Sequence, residues 1–416
     1  MKTLALVITC IAAGTLAACD GSSQTSSSAI ATQSSAATLS SSLPASSSAP
    51  AISSSSLAVS SSMPASSSNT AVSSSSIAAS NSSAGEASQP GTPNSVSGFA
   101  SMNALGVATT TGGKGGEVIT VTTAEQLKEL ADSNTPYILL IQGEIDLAGD
   151  GITLRSNKTI IGLAGAKLIN GGFESNNFNN IIIRNLYMDG NHQRDDGIKI
   201  NAGSHHIWVD HCTLEDYDDG LLDITRGSTN LTLSWNIFTN HDKNILIGHS
   251  DAETGDAGTL KTSLHHNWFK GTIQRNPRVR YGEVHVYNNF YSNINSNIST
   301  DADSGDEGYG VASATTAQVL VEGNYFQDVM HPTRSGVPEK FDANGMVSSW
   351  FSPPANIVER NNIFDNSGTP ETLGTVFEPS TYYSYTLDDA STIPTLIQNG
   401  AGAGILDPQA ILEASR

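Results

Sequence analysis

From about residue 94 onward, short apolar or β-branched runs recur along the chain, each breaking at a polar step. The units are IIIRNLYMDG (181–190), IWVDHCTLED (207–216), LTLSWNIFTN (231–240), SLHHNWFKGT (263–272), VHVYNNFYSN (284–293), VLVEGNYFQD (319–328) and NIVERNNIFD (356–365). A period of two is the spacing of strands, whose side chains alternate between faces. Within each unit a recurring residue is followed two places later by an apolar one: Asn185/Tyr187, Cys212/Leu214, Asn236/Phe238, Asn267/Phe269, Asn289/Tyr291, Asn324/Phe326 and Asn362/Phe364. Successive pairs lie 22 to 38 residues apart. Strands at such intervals, with few helical patterns between them, predict an all-β chain wound as a parallel solenoid. The asparagines would stack in one column, each amide bonding to the next, with Cys212 as a small buried member. Uneven spacing puts insertions on one side, where repeat proteins carry their sites. A propeller would need longer, more even repeats. TTAEQLKELADS (122–133) predicts one amphipathic helix, with Thr123 and Gln126 as a capping box, that caps the solenoid's N-terminal end.

Composition divides the chain in three. Residues 1–18 have the layout of a secretory signal peptide, Lys2 followed by an apolar run. The end of that run, Leu16, Ala17, Ala18 and Cys19, resembles the lipobox of bacterial lipoproteins, which implies lipidation of Cys19. Residues 19–93 are Ser, Ala and Thr with few large apolar side chains, the composition of a disordered linker. Residues 94–416 form the folded domain, with Cys212 as its single cysteine and hence no internal disulfide. No later run approaches the ~20 apolar residues of a spanning helix, so a membrane is expected only through the anchor. The chain has 40 acidic against 20 basic residues, net charge -20. That surface argues against nucleic acid as a partner.

Against this acidity, QRNPRVRYG (274–282) gathers Arg275, Arg278 and Arg280 around one proline. Acidic residues cluster in QRDDGIKI (193–200) and EDYDDGLLDITRG (215–227), and Lys243 lies in NHDKNILIGHSD (240–251). On strands, residues two or four apart share a face, so Asp219 and Asp223 are compatible with one site. Asp196, one coil earlier, can stack beside them. Three carboxylates repel unless a cation lies between them, and oxygen-only ligands suit calcium; the alternative is a solvated acidic turn. Acids, lysine and arginines on successive coils would line one groove for an anionic substrate. The alternative for the arginines is internal pairing with surplus acids.

These stretches in combination (IWVDHCTLED, DGLLDITRGSTNLTLSWNIFTNHDKNILIG and RNPRVRYGEVHVYNNFY) resemble the pectate lyase superfamily over residues 100 to 365, specifically extracellular bacterial enzymes of the polysaccharide lyase family 1 type. The resemblance implies a right-handed parallel β-helix. It implies calcium bound by Asp196, Asp219 and Asp223, where relatives often have glutamate at position 219. A further family aspartate falls on Arg194, leaving Asp195 as the neighbour for an extra metal position. It implies Lys243 as the family lysine, Arg275 as base and Arg280 as partner of the uronate carboxylate. Arg278, in the same run, is structural or substrate-supporting. The implied reaction is β-elimination on polygalacturonate, giving unsaturated oligogalacturonates. Arginine is otherwise permanently protonated, so a base at Arg275 requires crowding by other cations.

Three rivals remain on the sequence. A calcium-free pectin lyase acting on methylated pectin is disfavoured by three intact acids. A polygalacturonase-type hydrolase would use paired carboxylates, which Asp218 and Asp219 superficially offer, but GIKI and IGHS match its motifs poorly. A surface solenoid that only binds pectin is disfavoured by the presence of Lys243 and Arg275. His211 is expected to buttress the site or the core. The protein is expected to be a monomer, secreted or displayed at the cell surface as an outer-membrane lipoprotein. The stretch after about Asn366 lacks the ladder.

Overall fold

The computed structural model describes residues 95–416, except 295–307, 342–343 and 345. The signal-like segment, Cys19 and the Ser/Ala-rich stretch therefore lie outside the described residues. Each coil of the domain visits three sheets in turn. Thr229–Ser234 belongs to a ten-stranded sheet, Ile237–Thr239 to a nine-stranded one and Ile245–Ile247 to an eight-stranded one, before Lys261–His265 begins the next coil. Equivalent strands of successive coils pair in parallel. The coils form a right-handed parallel β-helix.

Alternation decides what lies inside. In the ten-stranded sheet Ile181, Ile207, Leu231, Val284, Val319 and Ile357 are buried in one continuous core. In the nine-stranded sheet Phe238, Phe269, Tyr291, Phe326 and Phe364 stack inward, their successive ring centroids 4.4 to 5.3 Å apart. Each such contact adds roughly 0.5–1.5 kcal/mol beyond burial alone.

The asparagine column forms at the bend between these two sheets. Asn236 Nδ2 donates to Asn267 Oδ1 at 3.0 Å, Asn267 to Asn289 at 3.0 Å, Asn289 to Asn324 at 3.0 Å and Asn324 to Asn362 at 2.9 Å. Each amide oxygen also accepts the main-chain N–H of the residue below, so buried polar backbone is satisfied at every turn. Cys212 lies in the column, its N–H donating to Asn236 Oδ1 at 2.9 Å. Burial pushes its thiol up to about 12, as befits a small core residue.

Asn185 is not part of the ladder. Tyr187 pairs with Thr213 and Met188 with Leu214, so Leu186, not Asn185, stands in register with Cys212. Asn185 occupies the preceding corner, at φ 56°, a column shared by His211, Trp235, His266 and Asn288 at φ 49° to 55°. Asparagine tolerates this left-handed conformation, and the same residue type thus recurs for a different reason.

Helix Ala124–Ala131 closes the N-terminal end, burying Leu127 and Ala131. Thr123 Oγ1 caps the helix by accepting from Gln126 N at 3.3 Å; the return bond of a capping box is displaced by one residue, Gln126 Oε1 accepting from Thr122 N at 3.2 Å rather than from the N-cap N–H. The C-terminal stretch runs back along the outside of the coils. Tyr383 and Tyr385 pack on His285. Helix Ile393–Gly400 buries Ile393 and Ile397 against Trp235 and Phe290. Helix Pro408–Ser415 buries Ile411 and Leu412 against Ile138 and Ile161. One antiparallel hairpin, Val337–Phe341 with Val347–Ser352, stands apart from the three parallel sheets.

Candidate active site

The outer face of the eight-stranded sheet carries the site. Glu174, Lys199, Asp223, Leu246 and Arg278 stand in one register row across neighbouring strands. Their neighbours Ile198, Ile200, Leu222, Ile224, Ile245, Ile247 and Val279 point into the core, so the period of two turns the charged row outward. Arg280, two places after Arg278, shares that face. The remaining groups come from stacked turns just ahead of the strands. Gly197 N donates to Gly220 O at 3.0 Å, Leu221 N to Lys243 O at 3.2 Å and Ile245 N to Arg275 O at 2.6 Å. These ties hold the turns bearing Asp196, Asp219, Lys243 and Arg275 one above the other.

Twelve of the described residues line a cleft of about 310 Å3, among them Asp196, Asp219, Asp223, Arg275, Arg278 and Arg280. Two larger hollows, of about 840 and 520 Å3, lie along the C-terminal stretch around Asp388. Among the described residues no basic side chain lines either, so neither pairs acid with base as the smaller cleft does. Lys243 stands at the cleft's edge, its Nζ 3.3 Å from Asp219 Oδ1. Arg275 Nη1 reaches the same oxygen at 3.2 Å, while its Nε is buried without a hydrogen-bond partner. His241 Nε2 donates to the main-chain oxygen of Asp219 at 2.6 Å and fixes this turn; burial lowers that imidazole's pKa.

Asp196 and Asp223 sit deeper, both buried. Asp196 Oδ2 pairs with Lys199 Nζ at 2.9 Å, and Asp196 Oδ1 accepts from Gly220 N at 3.1 Å. Asp223 Oδ1 is buried and has no partner. Burial, then the Asp196 carboxylate beside it, pushes the Asp223 carboxyl up to about 7. A Cβ on Gly220 would fall 2.4 Å from Asp223 Oδ1 and 3.0 Å from Asp196 Oδ1. Two carboxylate oxygens therefore converge over a residue with no side chain. Like charges held together, one without a partner, form the donor set of a hard cation such as calcium. Among the described residues, no three acidic, histidine or cysteine side chains stand together as a ligand group. The reason is local: Asp219 is turned to Lys243 and Arg275. Asp196 and Asp223 have the donor chemistry for calcium, and Asp219 would have to leave Lys243 and Arg275 to join them.

The arginine run has a second carboxylate behind it. Arg280 Nε lies 3.1 Å from Asp251 Oδ1, and its Nη1 donates to Gly248 O at 3.0 Å. Arg278 Nη2 donates to Ser352 Oγ at 2.6 Å, and Ser352 Oγ donates to Asp251 Oδ2 at 2.9 Å. Burial lowers the pKa of both arginines, Arg278 to about 10. Arg278 is only 3% exposed, with its guanidinium 4.4 Å from the ring of Phe351.

Asp195 is exposed and outside the cleft lining; its main-chain oxygen accepts from Asp219 N at 2.7 Å. Arg194 pairs with Glu174. His211 is buried on Asp210 at 2.7 Å, stacked on Trp235, and does not line the cleft. Sequence reasoning missed Lys199, Asp251, Ser352 and Phe351. Lys199 was accessible, being in the register row of Asp223; the other three reach the site only through the fold.

Similarity to known proteins agrees with this architecture. A family model described as pectate lyase matches residues 70–406. A pectate trisaccharide-lyase from Thermotoga sp. is 39% identical over 342 residues, covering 74% of this chain and 89% of that protein. Another from Bacillus licheniformis is 33% identical over 334 residues, covering 76% and 88%. The crystal structure of a pectate lyase from Bacillus sp. N165 in complex with trigalacturonate superposes with a TM-score of 0.61, at 26% identity, covering 75% of this chain and 99% of that one. Fold and site together define a polysaccharide lyase built on a parallel β-helix. The chain belongs to the pectate lyase family.

Proposed function

We propose that the protein cleaves polygalacturonate by calcium-dependent β-elimination, with Arg275 as base. The observation that carries this reading is the convergence of Lys243 and Arg275 on Asp219 Oδ1, at 3.3 and 3.2 Å, beside the Asp196 and Asp223 oxygens that meet over Gly220. Asp196, Asp219 and Asp223 would hold the ion. When bound, calcium supplies positive charge that neutralises the substrate's carboxylate and makes the neighbouring C5 proton more acidic. Arg280, held rigid by Asp251 and Gly248, pairs with a uronate carboxylate in the geometry its fork favours. Lys243 adds charge where the enolate-like intermediate develops. Arg275 takes the C5 proton, the electron pair left at C5 forms a C4=C5 double bond, and the C4–oxygen bond breaks, the departing oxygen taking a proton from water and leaving an unsaturated sugar end. A base role requires Arg275 as the neutral guanidine, since arginine is normally protonated at all working pH.

The direct test is ultraviolet absorbance on polygalacturonate with calcium and then with a chelator. A rise abolished by the chelator is expected. A rise on methylated pectin that survives chelation would make it a pectin lyase, and new reducing ends without absorbance a hydrolase. We further propose that residues 1–18 are a signal peptide, Cys19 a lipidated anchor, 19–93 a linker and 94–416 the catalytic domain of a monomer. Detergent partitioning of the wild type against Cys19→Ala tests the anchor; equal partitioning would remove it.

A further inference from the structure

We propose that Phe351 is an aromatic platform on which one sugar ring of the polymer stacks, and so a determinant of substrate grip. The proposal rests on the pectate lyase reading of the cleft. Phe351 lies at the end of the hairpin Val337–Phe341 with Val347–Ser352, and lines the cleft together with Asp223, Arg275 and Arg280. It is 58% exposed. A single exposed phenyl is unremarkable in itself, but this one is held in place. One side of the ring lies 4.4 Å from the Arg278 guanidinium, a cation–π contact that leaves the rest of the ring to the cleft. The next residue, Ser352, is fully buried and is gripped by Arg278 at 2.6 Å, Arg280 at 3.1 Å and Asp251 at 2.9 Å. The hydrogen bonds that orient the substrate arginine therefore also fix the base of the aromatic residue.

The chemistry of the ligand matches. A uronate ring has hydroxyl and carboxylate groups around its rim and a face made of C–H groups. The rim suits the acids, lysine and arginines of the cleft; the C–H face needs an apolar, polarisable partner. Among the described residues lining the cleft, Phe351 and Leu246 are the apolar ones. Arg278 then acts beneath the ring, as a positioning residue.

Trp350 provides the internal comparison. It is 40% exposed on the same hairpin but does not line the cleft, and it packs over Gly336. Initial rates on polygalacturonate are measured for wild type, Phe351→Ala, Phe351→Tyr and Trp350→Ala, with melting temperatures alongside. Phe351→Ala is expected to raise KM roughly five- to tenfold, the worth of one aromatic contact, with kcat within twofold. Phe351→Tyr is expected to restore KM, and Trp350→Ala to leave it unchanged. A KM within twofold of wild type in Phe351→Ala, or an equal loss in Trp350→Ala, would overturn the proposal; so would a fall in kcat alone, which would mean the ring acts only through Arg278. If the wild type does not cleave polygalacturonate, the functional reading fails separately. Retardation in a polygalacturonate-containing gel then decides: lost retardation of Phe351→Ala supports the platform, and unchanged retardation sinks it.

Discussion

Arg275 Nη1 and Asp219 Oδ1 stand 3.2 Å apart although 56 residues separate them in the chain. Lys243 shares that oxygen, and the Asp219 side chain is 46% exposed. Ion pairs so accessible to solvent are worth at most ~1 kcal/mol, so the arrangement is for placement rather than stability. Arg275→Lys keeps the charge but loses the planar fork and its reach. Its kcat on polygalacturonate is expected to fall about 10²–10⁴-fold, the usual worth of a positioned acid or base, with KM and melting temperature little changed. Steady-state rates check this, and a kcat within tenfold of wild type would take Arg275 out of the reaction.

Asp223 sets function against stability. Its Oδ1 is buried and unpartnered, and burial with Asp196 nearby disfavours its charge. Asp223→Asn removes that charge. Without calcium the variant is expected to melt above the wild type, as a buried unpaired charge is costly. Added calcium should raise the melting temperature of the wild type through ligand linkage and leave the variant's unchanged. Thermal shift against calcium concentration reads both effects. Equal calcium responses would show that Asp223 does not hold the ion.

Asn267 is in the middle of the ladder. Its Oδ1 accepts from Asn236 N and Nδ2, both at 3.0 Å, and its Nδ2 donates to Leu233 O at 2.8 Å. Asn267→Ala leaves the buried Asn236 N–H and Leu233 carbonyl without these partners, at ~1–3 kcal/mol each. A loss of about 2–5 kcal/mol in denaturant unfolding is expected, with activity at low temperature retained because the ladder does not line the cleft. A loss below about 1 kcal/mol would mean that water replaces the amide.

The repeat was legible because a solenoid writes its core into the sequence. Asn236 and Phe238 recur in Asn267 and Phe269 since each coil must satisfy the same bend and fill the same layer. The meeting of the candidate residues was legible for the same reason: Asp196, Asp219, Lys243 and Arg275 occupy stacked turns of consecutive coils. Asn185 misled by one place, as asparagine suits both the ladder and the left-handed corner. Phe351 and Ser352 were not legible, for they meet Arg278 and Arg280 through a hairpin outside the repeat; nor was Asp251, which reaches them from the loop after Ile245–Ile247. The C-terminal stretch was not legible either: Tyr383 and Tyr385 find their partner, His285, only in space.

Acid sensitivity should trace to Asp210. Its Oδ2 accepts from Arg184 Nε and Nη2, both at 2.8 Å, and from His211 Nδ1 at 2.7 Å; its Oδ1 accepts from Ser234 Oγ at 2.6 Å. Burial alone would raise its pKa, but the charges of His211 and Arg184 and these hydrogen bonds outweigh it and hold the carboxyl at about 2. The folded value is below the ordinary 3.8, so the ionised group stabilises the fold above about pH 4. That contribution is lost as pH falls toward 2. Asp210→Asn, which leaves Arg184 buried without its carboxylate, is expected to cost about 3–5 kcal/mol at pH 7. The gap to wild type should narrow by about 2 kcal/mol between pH 4 and pH 2 as Asp210 itself takes up a proton. Comparing the two proteins at each pH removes the effect of other carboxylates. A gap that stays constant across that window would mean Asp210 carries no net charge in the fold, and that Arg184 is balanced by another group.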